Sequence, residues 1–76
     1  MDINEFVKKF AEQFDETDLT EFKVDTKYHE LDEWSSMTSL AIIAMIDEEY
    51  SVKIKGDDIR NSKTIEDLYK IVESRK

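Results

Sequence analysis

Seventy-six residues make one small domain, near the lower limit for a core that folds unaided. Nineteen acidic against eleven basic residues leave a net charge of −8, which argues against nucleic-acid and anionic-lipid partners and favours basic protein surfaces. With no Cys and no cluster of metal-ligating side chains, neither a disulfide nor a zinc ion can staple the fold, and no run approaches the ~20 apolar residues that span a bilayer.

Four Phe, three Tyr and one Trp argue against disorder despite the charge, and the absence of Pro beside a single Gly favours helices. A first helix is expected from Ile3 to Asp15, capped by Asp2, with Glu5 completing a capping-box pattern. Ile3, Phe6, Val7, Phe10 and Phe14 recur at helical spacing and should face the core, with Lys8, Lys9, Glu12 and Gln13 in water. From Glu16 to Ser35 no helical period is sustained, and Leu19, Phe22, Val24, Tyr28 and Leu31 stand as scattered apolar anchors. A loop longer than about 12–15 residues in a compact domain is usually functional or disordered. The anchors favour an ordered loop laid across the helices, with room for a short helical turn.

A second helix is expected from Ser36 to Tyr50, with more apolar surface than one core can use. At 100° per residue, Ser39, Ile42, Ile43, Ile46 and Tyr50 form the core-facing stripe. Met37, Ala41, Ala44 and Glu48 lie opposite, flanked by Leu40. A helix that begins with a hydroxyl, shows an apolar outer face and ends in Asp47-Glu48-Glu49 reads as a docking helix with an attachment point. Two plainer readings compete. Phe22 or Trp34 from the loop would cover the outer face, or the acidic run would be only a solvated helix end. Acids at a helix C-terminus oppose its dipole at a cost of about 0.3–1 kcal/mol, which favours a functional reason for them.

Beyond Tyr50, Ser51 to Lys55 alternates polar and apolar and should be extended and half-buried. Gly56 breaks the chain, Asp57 is positioned to cap a single turn through Arg60, and a last helix starts at the Thr64 cap with Asp67 at its third position. Ile65, Leu68, Ile71 and Val72 form its inner stripe, and its end should fray near Arg75. The expected fold is an all-α, up-down bundle of three main helices and one short one with a long first loop, a single domain over 1–76. Phe6, Phe10, Phe14, Ile43, Ile46, Ile59, Leu68 and Ile71 are its expected core.

The triplet Ser35-Ser36-Met37, the acidic cluster Asp47-Glu48-Glu49 three turns later, and Trp34 just before the triplet are set in a short acidic chain with this helix order. The pattern resembles the acyl carrier proteins, whose prosthetic-group serine sits in an Asp-Ser-Leu motif at the start of the second helix. The resemblance implies that a phosphopantetheinyl transferase, using coenzyme A and Mg²⁺, attaches 4′-phosphopantetheine to Ser36. The chain would then carry acyl groups as thioesters in fatty acid or related lipid biosynthesis and catalyse nothing itself. It implies docking through Met37, Leu40, Ala41, Ala44, Asp47 and Glu48 to basic patches on acyl-transferring and acyl-activating enzymes. The departures are Ser35 where the family has Asp, and Thr38 and Ala41 where it often has acids. Asp32 and Glu33 are candidates to restore negative charge beside the site.

Other readings of the same residues stay open. Ser35 or Ser36 is an N-cap and nothing more, or Ser35 caps while Ser36 is modified; Ser39, on the core stripe, is a less reachable rival. The cargo is equally well aminoacyl, peptidyl or polyketide, and an unmodified acidic adaptor fits the same docking face. His29 stands alone and is expected to make a loop hydrogen bond. A triad of Ser36, His29 and Asp32 is rejected for want of an oxyanion hole and a substrate pocket. No basic-then-apolar leader opens the chain, so a cytoplasmic monomer is the expectation, without nucleic-acid or membrane partners.

Overall fold

A computed structural model describes residues 2–76 and resolves four helices: α1 (Ile3–Ala11), α2 (Ser36–Tyr50), α3 (Gly56–Asn61) and α4 (Ile65–Ser74). No strand occurs among the described residues. Asp2 caps α1 by accepting from the Asn4 N–H at 3.0 Å. The helix stops short of the expected Asp15 because the chain tightens, with Gln13 N–H bonding Phe10 O and Phe14 N–H bonding Ala11 O. That tighter turn swings Phe14 inward, where its ring lies 4.9 Å from Phe22.

The stretch 12–35 is ordered around two 3₁₀ turns, Leu19–Glu21 and Tyr28–Glu30. Phe22 and Tyr28 are buried, and Val24 and Leu31 half-buried. Leu19 is not an anchor: it is 63% exposed. The Tyr28 hydroxyl donates to Ile59 O at 2.7 Å. His29 Nε2 lies 3.0 Å from the carbonyls of both Ile59 and Ser62. Carbonyls only accept, so Nε2 carries the proton. Val24 O and Thr26 O in turn accept from the Glu66 and Ile65 N–H groups, at 2.9 and 3.2 Å, satisfying donors that the start of α4 cannot pair internally.

One cap differs from expectation. α3 includes Gly56 and is capped through Asp58, whose carboxylate accepts from the Lys55 N–H at 2.8 Å, and not through Asp57. α2 ends on Ser51, which adopts the left-handed conformation at φ 57° that Gly usually fills. The Thr64–Asp67 capping box at the start of α4 forms as expected. At its other end, Arg75 forks onto Asp58 at 2.5 and 2.7 Å, tying the last helix back to α3. Between α2 and α3, Val52 and Ile54 are buried while Ser51, Lys53 and Lys55 are exposed, so the expected alternation holds.

Phe6, Phe10, Ile42, Ile46, Ile65, Leu68, Val72 and Tyr28 are completely buried. Ile43 and Ile71, expected in the core, are only half-buried, and Met45 takes a place there instead. α2 contacts both α1 and α3, so its buried stripe is turned toward Met45 relative to a stripe centred on Ile43. Phe10 sits at the centre of the aromatic packing, with Phe14, Phe22, Tyr28 and Trp34 all within 6.4 Å ring to ring.

Replacing Phe10 by Ala should remove about 3–5 kcal/mol, a large part of what a domain this size possesses, and chemical denaturation should show a mostly unfolded variant. Ser51→Gly should raise the unfolding free energy by up to about 1 kcal/mol, and with it the denaturation midpoint, because the left-handed penalty is removed while Gly adds unfolded-state entropy. A lowered midpoint would contradict the strained cap.

Candidate functional site

The junction between the long loop and α2 is held by a chain of hydroxyls. Ser35 is extended, and its Oγ accepts from the Thr38 N–H at 3.3 Å, which makes it the N-cap. The Thr38 hydroxyl donates to Glu33 O at 3.0 Å. Its single proton is thereby used, so in the 3.2 Å contact between the two hydroxyls Ser35 is the donor. Ser39 N–H bonds Ser35 O at 3.0 Å, closing the first helical turn.

Ser36 is left as the first residue of α2, exposed, with no hydrogen-bond partner for its hydroxyl among the described residues. Of the neighbouring hydroxyls, those of Ser35 and Thr38 are occupied and Ser39 is half-buried. No acidic residue occupies the first turn of α2, so nothing there neutralises the positive end of the helix dipole.

Glu33 does not face outward beside Ser36 as a free charge. Its carboxylate accepts from the N–H groups of Asp15, Glu16 and Thr17 at 2.8, 3.0 and 2.9 Å, and from the Thr17 hydroxyl at 2.7 Å. These bonds, the Thr17 hydroxyl foremost and the Asp15 N–H next, hold the Glu33 carboxyl below its ordinary 4.5. The exit of α1, the loop and the entry to α2 are thus joined through one residue. Sequence periodicity carries no trace of such a clamp, because its partners lie 16 to 18 positions away. Asp32 remains exposed beside the site.

The outer face of α2 is open. Met37 is 79% and Leu40 65% exposed; Ala44, Asp47 and Glu48 are exposed, and Ala41 is half-buried. Neither Phe22 nor Trp34 covers it. Phe22 is buried against Phe10 and Phe14, and the Trp34 ring packs 4.8 Å from Tyr28 and parallel to Phe10 at 6.4 Å. In the acidic run, Glu49 pairs with Lys9 at 2.6 Å, leaving Asp47 and Glu48 without ion-pair partners among the described residues.

His29 is directed to the carbonyls of Ile59 and Ser62, so it does not pair with Ser36. Among the described residues no three His, Cys, Asp or Glu side chains are grouped to hold a metal ion. Among the described residues no helix is long and apolar enough to cross a membrane. Comparison with protein-family models, with curated proteins and with solved structures gives no match to this chain.

The lowered carboxyl of Glu33 has a defined pH signature. A group whose folded pKa lies below its unfolded value contributes stability above the unfolded value, near 4.5 for Glu, and loses it as pH falls through the folded value. Stability measured against pH should fall from about 4.5 downward in the native chain. Glu33→Gln should be less stable at pH 7 and show a flatter decline across that acidic window. An unchanged acid limb would mean that the clamp does not form in solution.

Proposed function

We propose that the chain is an acyl carrier protein, modified on Ser36 with 4′-phosphopantetheine, and that it moves acyl groups between enzymes without catalysis of its own. The observation that carries this reading is the pairing of hydroxyls at the start of α2. Ser35 does the capping and Thr38 holds the loop, while the Ser36 hydroxyl between them is exposed and unpartnered.

The chemistry asked of the chain is small. The Ser36 oxygen attacks the β-phosphorus of coenzyme A and forms an O–P bond as the bond to the 3′,5′-ADP portion breaks. The serine proton passes to a base supplied by the transferase. The N–H groups of Ser36 and Met37, at the open start of α2, favour the negative charge of the resulting phosphodiester. When bound, the group supplies a terminal thiol for thioester formation, in a chain that has no Cys of its own.

The outer face of α2 supplies the docking surface. Met37 and Leu40 give it an apolar centre, Ala41 and Ala44 let a partner approach closely, and Asp47 and Glu48 give it an acidic edge. A shallow apolar groove rimmed by Arg and Lys complements that arrangement, as on a phosphopantetheinyl transferase or an acyl-transferring enzyme. The acid-free first turn favours a partner whose basic side chains meet the far end of the helix, or Asp32 in the loop. Fatty acid or related lipid synthesis is the pathway class of this proposal. The chain would work as a monomer in the cytoplasm.

Intact mass should decide it. Incubation with coenzyme A, Mg²⁺ and a broad-specificity phosphopantetheinyl transferase should add one phosphopantetheine to the native chain and none to Ser36→Ala. A gain in both would move the site to Ser39 or Ser35. No gain in either, with several transferases, would overturn the carrier reading and leave an unmodified adaptor that docks through the same face.

A further inference from the structure

On the side of the molecule formed by α1 and the first 3₁₀ turn, an open groove of about 490 Å³ runs between Asn4, Val7, Lys8 and Ala11 of α1 and Leu19, Phe22, Lys23 and Val24 of the loop. Its floor is apolar: Val7, Ala11 and Phe22 are buried core residues whose outer edges reach it. Leu19 stands over it 63% exposed, although the loop spends other apolar side chains inward.

The charge of this groove is opposite to that of the chain. Nineteen residues of the protein are acidic, yet the groove is lined by two lysines and no carboxylate. Neither Lys8 nor Lys23 makes an ion pair among the described residues. An apolar trough with two free cations at its edge complements a molecule with an apolar body and an anionic head. Size selects between a protein and a small molecule. The volume lies within the ~300–1,000 Å³ of small-ligand clefts, while eight lining residues fall well short of the roughly 20–30 per side of a stable protein interface.

We infer that this groove binds a single-chain amphiphile with a carboxylate head, a free medium-chain fatty acid, with the tail against Val7, Ala11, Leu19 and Phe22 and the head between Lys8 and Lys23. The site is separate from Ser36 and requires no modification there, so it stands or falls independently of the carrier reading.

The unmodified full chain, labelled with ¹⁵N, should be titrated with sodium decanoate below its micelle concentration, with decyltrimethylammonium as the cationic control. Decanoate should give saturable, one-site shifts concentrated at the amides of Val7, Ala11, Phe22 and Lys23. Lys8→Gln with Lys23→Gln should raise Kd roughly 2- to 30-fold, the range two exposed ion pairs supply. Leu19→Asn should weaken binding too, and all of these positions except the buried floor are exposed, so circular dichroism should show folded variants. No saturable response, equal binding of the cationic control, an unchanged Kd in the lysine variant, or shifts centred on α2 and α4 would each overturn the inference. Concentration-dependent shifts of the same amides without decanoate would assign the groove to a second copy of the chain and overturn it as well.

Discussion

Fixing the backbone of a residue costs about 1–2 kcal/mol, so a loop running from 12 to 35 stays ordered only where burial and hydrogen bonds offset that loss. Tyr28 does most to offset it. Its ring is completely buried among Phe10 and Trp34, and its hydroxyl reaches Ile59 O in α3, with burial pushing the phenol above its ordinary 10.0. His29 beside it bonds the same carbonyl and that of Ser62, and two loop carbonyls complete the start of α4. The loop is therefore fastened to the C-terminal half before the chain enters α2, and the position of Ser36 depends on that fastening. Glu33 adds the second tie, to the end of α1.

Helical content, helix order, the Thr64–Asp67 box, the alternation at Val52 and Ile54 and the open outer face of α2 were all legible in the sequence. Each is a local pattern whose spacing matches one element. What was not legible depends on turns and distant pairs. α1 stops at Ala11 because the chain tightens there, and nothing in Glu12 to Asp15 announces it. Leu19 looked like an anchor because it is apolar, but in a loop apolarity without a period does not say which side a residue faces. Met45 displaced Ile43 because a helix packed on two sides buries a stripe set by both neighbours. Of the candidate site, the exposed serine and the open apolar face of α2 could be read; the Glu33 clamp could not.

The two faces of α2 answer to different demands. Ile42, Met45 and Ile46 are fixed by the core, so changes there act first on stability. Met37 and Leu40 stand largely outside the core, and burial does not explain why they are large and apolar. Exposed apolar side chains of this size on an otherwise charged molecule are the part of the surface most in need of a partner. That argument does not require any particular modification at Ser36, which is why modification and docking are separable questions.

Two of the departures of this chain from the carrier motif it resembles, Ser35 and Thr38, are linked to one another by the hydroxyl network. Thr38 donates to the Glu33 carbonyl; an ionised acid in its place has no proton to give, so the loop exit would lose a bond. Ser35 donates to Thr38 while accepting from the Thr38 N–H. An Asp at 35 would cap as well or better, but as an acceptor only it would draw the Thr38 proton toward itself and away from Glu33 O. Ser35 and Thr38 therefore form a matched pair, each explicable by the other, and the loss of negative charge at the head of α2 is the consequence. With no acid in the first turn, exposed carboxylates without an ion-pair partner among the described residues lie further along the helix, at Asp47 and Glu48, or back in the loop at Asp32. Position along α2, more than total charge, is then what a basic partner would have to recognise.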